Sequence, residues 1–233
     1  MKIPIFLAMT AAEFSFCRCL PSHIAWLACH FSPSGLGLSN IPSVLPPDSI
    51  LILDDSIPFQ QHDPEQILRQ LKNALTRLSV QGLLLDFQRP MDPLVRELAL
   101  LLQKELPCPV GAPPNYSDGH SPLFLPPIPL YKSPRDYLSS YKSREIWLET
   151  AWDSVQMYIT PEGCRIESGL YTDSQDFPHQ NRTLFCHYNI LRNTDGFVFR
   201  LQRSREDLEQ LSEEVLPMGV TNLVGLWQEL KEE

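Results

Sequence analysis

The 233-residue sequence has few basic residues, no long apolar run and no obvious linker. It carries 19 Lys and Arg against 28 Asp and Glu, a formal net charge of −9, whereas a nucleic-acid surface needs clustered basic side chains to replace phosphate counterions. No apolar run reaches the roughly 20 residues that span a bilayer. No Gly/Ser-rich or charged segment divides the chain. We therefore expect one domain, residues 1–233, that binds neither nucleic acid nor membranes.

The motifs of several common enzyme classes are also missing. The sequence has no GxGxxG or other phosphate-binding loop, no GxSxG nucleophile elbow and no HExxH. Its six histidines include no pair at i and i+4, the spacing that places two ligands on one helix face. The sequence therefore predicts neither a metal site nor a cofactor.

Cysteine usage indicates a reducing compartment. Six cysteines are present, but Cys17 and Cys19 lie too close together for a zinc knuckle or a redox CxxC motif. Cys29 and Cys108 lie in apolar runs, as small core residues do. A chain of this length buries enough apolar surface without disulfides, so we expect reduced thiols and a cytoplasmic location.

The N-terminus allows two interpretations. Residues 1–12 combine one lysine, an apolar stretch and small residues, as signal peptides do. However, the apolar stretch is short and contains Pro4. The sequence therefore favours a buried first strand from Ile3 to Met9.

Apolar runs alternate with capped helices along most of the chain. Helix starts are predicted where a capping residue precedes proline at Asp63, Asp92 and Ser133, and at Ser204. Strands separated by helices indicate crossover connections and a mainly parallel sheet. Eight strands are predicted: Ile3–Met9, His23–His30, Ile50–Leu53, Gly82–Phe87, Cys108–Ala112, Leu123–Ile128, Ile146–Thr150 and Leu223–Trp227.

Eight strands with few helices predict an α/β fold, a slimmed and irregular (β/α)8 TIM-type barrel. The alternative is a doubly wound open sheet, but the first strands lack its phosphate-binding loop. Two regions interrupt the alternation with turn signals, and we expect β-hairpin insertions at about 155–168 and 184–201.

Acidic residues follow several of the apolar runs. Asp86 ends the run that begins at Gly82, Asp54 and Asp55 follow Leu53, and Glu149 follows Leu148. Parallel strands are buried on both faces, so a charge at a strand end usually lies at the carboxyl-terminal mouth, where barrels assemble their active sites. The sequence therefore predicts a site at this mouth, with Asp86 as its main candidate.

Part of the sequence resembles a known family. Residues 81–88, together with the strand ending Ala112-Pro113-Pro114, look like the fourth and fifth strands of family-18 glycoside hydrolases, the chitinase-like barrels, whose fourth strand carries DGxDxDxE. Leu223–Trp227 is similar to their eighth strand, which ends in a tryptophan at the floor of the sugar site. The resemblance implies a carbohydrate-active or carbohydrate-binding barrel with a saccharide or other small-molecule ligand.

The acidic motif of that family is largely replaced here. Gln81 and Leu84 stand at its first two aspartates, Gln88 stands at its proton-donating glutamate, and Asp86 alone matches. An amide cannot supply the proton that glycosidic cleavage requires, so hydrolysis would need another acid.

Two carboxylates roughly 5 to 9 Å apart would meet that need. Our candidate catalytic residues are Asp86, Glu149 and Glu229, the last because it follows the eighth strand. Candidate ligand-binding residues are Asp54, Asp55, Gln88, Arg89, Asn115, Tyr116 and Trp227.

The candidate roles differ between these residues. Arg89 suits either an anionic ligand group or an ion pair with a neighbouring aspartate. Asn115 and Tyr116 suit hydrogen bonds to ligand hydroxyls, and Trp227 suits stacking on a sugar ring. The sequence leaves two function classes open, a carbohydrate-active enzyme with a divergent acid pair and a noncatalytic barrel that binds a ligand or a protein. It also leaves the oligomeric state open.

Overall fold

The computed structural model describes residues 2–59, 63–169 and 176–230. Within them, parallel strands form a barrel in which the first strand pairs with the last. The barrel strands are β1 (Ile5–Met9), β2 (Ile24–Phe31), β4 (Ile50–Asp54), β5 (Gly82–Asp86), β6 (Val110–Gly111), β7 (Leu123–Leu125), β8 (Ile146–Glu149) and β14 (Val220–Leu226); the short β3 (Leu38–Ser39) pairs antiparallel with β2.

The barrel closes between its fifth and sixth strands. Ala112, just after β6, pairs in parallel with Leu123 of β7, and Phe124 N donates to Ala112 O at 2.8 Å. Each of the eight predicted strands contributes one barrel strand, and the segments predicted as the fourth, fifth and eighth take those places. The predicted TIM-type barrel is confirmed, and the open doubly wound sheet is excluded.

Few helices pack around the barrel, as the sequence predicted. They are α1 (Ala11–Phe16), α2 (Pro64–Leu78), α3 (Pro93–Glu105), α4 (Pro134–Leu138), α5 (Arg205–Val215) and α6 (Trp227–Leu230). The predicted caps form, since Asp63, Asp92, Ser133 and Ser204 each accept a hydrogen bond from a backbone N–H of the first turn.

Helix α1 was not predicted from the sequence. It begins with a capping box, in which Thr10 Oγ1 accepts from Glu13 N and Glu13 Oε2 accepts from Thr10 N. This short helix has no buried residue, so the apolar periodicity that revealed α2 and α3 is missing here.

The largest side chain in the interior of the barrel is a tryptophan. Trp147 of β8 is 1% exposed and reaches the opposite wall at Gly82 of β5 and Gly111 of β6. A Cβ at either glycine would lie 2.6 Å from a ring carbon of Trp147. Glycine is therefore required on β5 and β6 because the indole occupies the space of a side chain.

The two predicted hairpins belong to one inserted sheet between β8 and α5. Strands β9 (Ser154–Thr160) and β10 (Gly163–Ser168) form the first, and β12 (Cys186–Asn193) and β13 (Gly196–Gln202) form the second. Pairing of β13 with β9 joins them, and β11 (His179–Asn181) completes the antiparallel order β10-β9-β13-β12-β11. Pairing between hairpins depends on chain geometry that turn signals do not encode.

Arg203 attaches the inserted sheet to the barrel. It is 1% exposed and donates to the carbonyl oxygens of Phe185, Leu184 and Ile128, the last of which lies beyond the end of β7. Buried carbonyls need such partners because an unpaired polar group in the interior costs free energy. This hydrogen-bonded guanidinium fixes the position of the insertion.

Candidate active site

Three carboxylates lie on the inner side of the barrel at its carboxyl-terminal mouth. Side chains alternate along a strand, and the inward set includes Ile50 and Ile52, Leu84, and Trp147. The next inward positions on these strands are Asp54, Asp86 and Glu149. Asp54 and Asp86 are direct register partners on neighbouring strands. The common location predicted for these acids is therefore what the strand alternation produces.

An open cleft of about 410 Å³ lies at this mouth. Within it, the Gln88 side-chain amide donates to Asp86 Oδ1 at 3.0 Å. Its lining residues are Leu27, Asp54, Asp55, Ser56, Asp86, Gln88 and Arg89. The structure thus brings together Asp86 and four of the residues predicted to bind a ligand.

Asp55 and Arg89 fasten the wall of this cleft. Asp55 is 5% exposed, and its two oxygens accept from the backbone N–H groups of Gln88 and Arg89 at 2.9 and 3.0 Å. Arg89 returns hydrogen bonds to the carbonyl oxygens of Asp55 and Ser56. These contacts tie the loop after β4 to the loop after β5, so both residues position Gln88 and Asp86.

Burial and mutual repulsion perturb the acids at the mouth. Burial, and next the negative charges of Asp86 and Glu229, raise the pKa of Glu149 to about 7. The pKa of Asp86 is also raised, mainly by burial and then by Asp54 and Asp55, while the hydrogen bond from Gln88 opposes the change. Near neutral pH, Glu149 is the carboxyl most able to hold a proton.

Glu229, the third predicted acid, stands one helical turn beyond the eighth strand, in α6. Burial, followed by the charge of Asp153, raises its pKa. It therefore belongs to the same electrostatic group as Glu149, and neither of these two glutamates is among the residues that line the cleft at Asp86. Asp153 was not identifiable from the sequence because it follows no apolar run.

Three predicted ligand-binding residues lie away from this cleft. Tyr116 is 3% exposed, and its ring packs edge-on against Phe87 in the cluster between barrel and helices. The carbonyl of the exposed Asn115 accepts from Arg96 on α3. Trp227 begins α6 and lines a separate groove of about 790 Å³ together with the outward-facing residue Ile5 of β1. Their placement does not support contact with a ligand at Asp86.

A β-bulge brings a histidine close to the mouth. The β2–β4 register shifts between Leu27 and Cys29, and His30 becomes the register partner of Asp54. Its ring nitrogens contact Phe31 O at 2.9 Å and the Asn40 side-chain amide at 3.1 Å. Without the bulge, the alternation of β2 would turn His30 to the outer face of the barrel. A bulge inserts one residue and so reverses the faces on which the following side chains lie.

Neither a metal centre nor a membrane helix is found in the described part of the chain. Across residues 2–59, 63–169 and 176–230, no group of three or more His, Cys, Asp and Glu side chains is arranged to hold a metal ion. No helix within the same ranges is both long and apolar enough to cross a bilayer.

Comparison with known proteins shows likeness at the level of the fold. No family model and no curated protein matches the sequence. The Bacillus cereus spore cortex-lytic enzyme SleL superposes over 97% of this chain and 71% of its own, with 7% identity and a TM-score of 0.58. A GH18 chitinase from Cycas revoluta in complex with (GlcNAc)3 superposes over 95% and 94%, with 8% identity and a TM-score of 0.50. The predicted resemblance to family-18 barrels is confirmed for the fold.

Proposed function

We propose that this protein is a carbohydrate-active barrel that binds a saccharide at the strand mouth, with Glu149 and Asp86 as its acid pair. The observation that carries the proposal is the placement of Glu149, with a pKa of about 7, on the inner face beside the negative charge of Asp86. Glycoside hydrolysis needs one carboxyl that is protonated and one that is ionised. Burial and the charges of Asp86 and Glu229 raise the pKa of Glu149 to about 7, which makes Glu149 our candidate for the protonated member and Asp86 our candidate for the ionised one.

Each residue has a defined role in the proposed reaction. Glu149 donates its proton to the glycosidic oxygen as the bond from that oxygen to the anomeric carbon breaks. Water then adds to the anomeric carbon, and its proton passes to a carboxylate, for which Asp86 is our candidate. Asp54 and Gln88 line the cleft together with Asp86 and suit hydrogen bonds to sugar hydroxyls. The complexes of the similarly folded Cycas revoluta chitinase with (GlcNAc)3 and (GlcNAc)4 suggest GlcNAc oligomers as the first ligands to test.

The alternative is a noncatalytic barrel that binds a ligand or protein through the same mouth. One contact favours it: the Gln88 amide donates to Asp86 at the position where the resembling family has its acid. An amide holds the aspartate in place but provides no proton. Saccharide binding without cleavage is the outcome that this alternative requires.

The test combines hydrolysis and binding measurements with GlcNAc oligomers. We expect wild type to release reducing ends with a rate that falls as pH rises above about 7, and Glu149→Gln to lose cleavage while retaining binding by calorimetry. Glu97→Gln, an exposed change on α3, is the matched control. The noncatalytic alternative would be favoured if wild type binds the oligomers without cleaving them and Asp86→Ala loses this binding. A gain of cleavage in Gln88→Glu would support that alternative further. Absence of both binding and cleavage would overturn the proposal for these ligands.

A cytoplasmic location is also proposed. It is supported by the six cysteines, which are all free in the structure, as expected of a protein from a reducing compartment. Fractionation of cells with an antibody against this chain tests it, and recovery in a secreted fraction would contradict it.

A further inference from the structure

The inserted sheet ends in a strand with an open edge. Strand β10 is the first in the order β10-β9-β13-β12-β11, and no described residue pairs with its outer side. All of its residues are exposed, and its pairing with β9 has no register shift. Natural proteins usually protect such an edge with charged side chains, proline or a bulge. Between Gly163 and Ser168 there is no proline and no bulge, and the two charged residues, Arg165 and Glu167, have opposite signs.

The hydrogen-bonding groups on this edge can be assigned to particular residues. Gly169 N donates to Ser154 O, which continues the β10–β9 register. Hydrogen-bonded and non-hydrogen-bonded pairs alternate in an antiparallel ladder. Cys164, Ile166 and Ser168 therefore direct their backbone N–H and C=O groups away from β9, to the open side.

The side chains of β10 separate by charge and polarity. Arg165 and Glu167 lie on one face, where Arg165 Nε is 3.3 Å from Glu167 Oε1 and the guanidinium stacks on Tyr158. Ile166 lies on the other face. Close to it on that face is Ile159 of β9, which is the register partner of Cys164. Ile166 and Ile159 are 41% and 40% exposed. The edge is thus a regular strand with an uncharged face that carries Ile166 and a face on which Arg165 and Glu167 balance in charge.

We propose that β10 pairs with β10 of a second copy of this chain, forming an antiparallel, two-fold symmetric dimer with its axis at Ile166. The outward N–H and C=O groups of Cys164 then meet those of Ser168 of the partner subunit, and Ile166 meets Ile166 of the partner subunit. Arg165 faces Glu167 of the partner subunit as a non-hydrogen-bonded pair, in which side chains approach most closely. The two sheets become continuous, and their exposed isoleucines become neighbours.

Charge selects this register over its neighbours. A shift of the two-fold axis by one residue places Arg165 opposite Arg165 of the partner subunit, or Glu167 opposite Glu167 of the partner subunit, and like charges directly opposite are destabilising. A register that pairs outward-facing with inward-facing residues breaks the hydrogen-bond ladder and mixes the two faces. The self-complementary charge pattern favours a second copy of the chain over an unrelated strand.

The dimer should be reversible. One short strand buries less surface than the roughly 1,200 Å² typical of stable interfaces. We expect a monomer–dimer equilibrium, visible by sedimentation velocity over a series from micromolar to submillimolar protein. A wild type that stays monomeric throughout this series, or that forms open-ended polymers, would overturn the proposal.

Charge reversal tests the register directly. Arg165→Glu and Glu167→Arg each place like charges opposite one another, so each variant alone should shift to monomer. Combining both changes in one chain restores opposite charges, and the dissociation constant of the dimer should then be at least tenfold lower than that of either single variant. An equimolar mixture of the two single variants should also dimerise, because every opposing pair then has opposite sign. Single variants that dimerise like wild type, or a mixture that stays monomeric, would refute the pairing.

A cross-link provides an independent measurement. Ser168→Cys places a new thiol opposite Cys164 of the partner subunit, and mild oxidation should give a disulfide-linked dimer containing both peptides. Four residues of extended strand separate the two thiols within one chain, so they cannot bridge each other. Adding Cys164→Ser should abolish this cross-link. A dimer whose disulfides join other cysteines only would contradict the proposed geometry.

Discussion

Replacing Glu149 by glutamine should make the stability of the protein less sensitive to pH. Glutamine resembles the protonated form of Glu149 in shape and charge, so the substitution removes an ionised form that is partly buried and repelled by Asp86 and Glu229. The pKa of Glu149 is raised from an ordinary value of 4.5 to about 7 in the folded state. A carboxyl with a raised pKa stabilises the fold most below pH 4.5 and loses that contribution as pH rises to about 7.

The magnitude follows from the same difference. A rise from 4.5 to about 7 corresponds to about 3 kcal/mol. Glu149 is only partly buried, and screening by solvent reduces the expected effect to about 2 kcal/mol. Glu149→Gln should therefore match wild type near pH 4 and exceed its free energy of unfolding by about 2 kcal/mol near pH 8.

Urea denaturation at both pH values, followed by tryptophan fluorescence, measures this difference. Glu97→Gln on the exposed side of α3 is the matched control and should give the same difference at each pH. Equal stability differences for Glu149→Gln near pH 4 and near pH 8 would refute the reasoning, because Glu149 would then titrate alike in the folded and unfolded chains.

Three further changes test the site and the core. Asp86→Asn should lower the pKa of Glu149 by removing a neighbouring negative charge, so in that background the stability difference of Glu149→Gln should level off at a lower pH and be smaller near pH 8; an unchanged difference near pH 8 would show that the two acids do not interact. Gly111→Ala should cost about 1 to 3 kcal/mol because its Cβ would lie 2.6 Å from Trp147, and a variant as stable as wild type in urea would contradict this packing. Arg203→Met should cost about 3 kcal/mol by leaving buried carbonyls unpaired, and calorimetry should show a lower Tm; an unchanged Tm would mean that the guanidinium does not hold the insertion.

The locations of β5 and α2 were predictable because their signals are local. A short apolar run bounded by Gly82 and Asp86 specifies a buried strand, and Asp63 followed by Pro64 specifies a helix start. The placement of Asp54, Asp86 and Glu149 at one mouth follows from the same information, since side chains alternate along strands that all run in one direction.

The roles of individual residues at the site depended on contacts between distant segments. Asp55 and Asp54 are adjacent in the sequence, yet Asp55 faces the outer layer and holds the backbone of Gln88 and Arg89. Trp227 follows the eighth strand as expected but lines the groove outside the barrel. A one-residue difference in phase reverses the face of a strand on which a side chain lies, and the sequence does not show where each strand ends.

The sequence by itself determined the order of the eight barrel strands and of the longer helices, the TIM-type barrel and the candidate acids at its mouth, because these depend on apolar periodicity, capping residues and the alternation of side chains. Only the tertiary structure decided that Trp147 requires Gly82 and Gly111, that the two hairpins join into one sheet, and that Glu149 has a pKa of about 7. Each of these depends on how closely residues far apart in the chain approach one another. That distance is set by packing of the whole barrel and is not encoded in any local pattern.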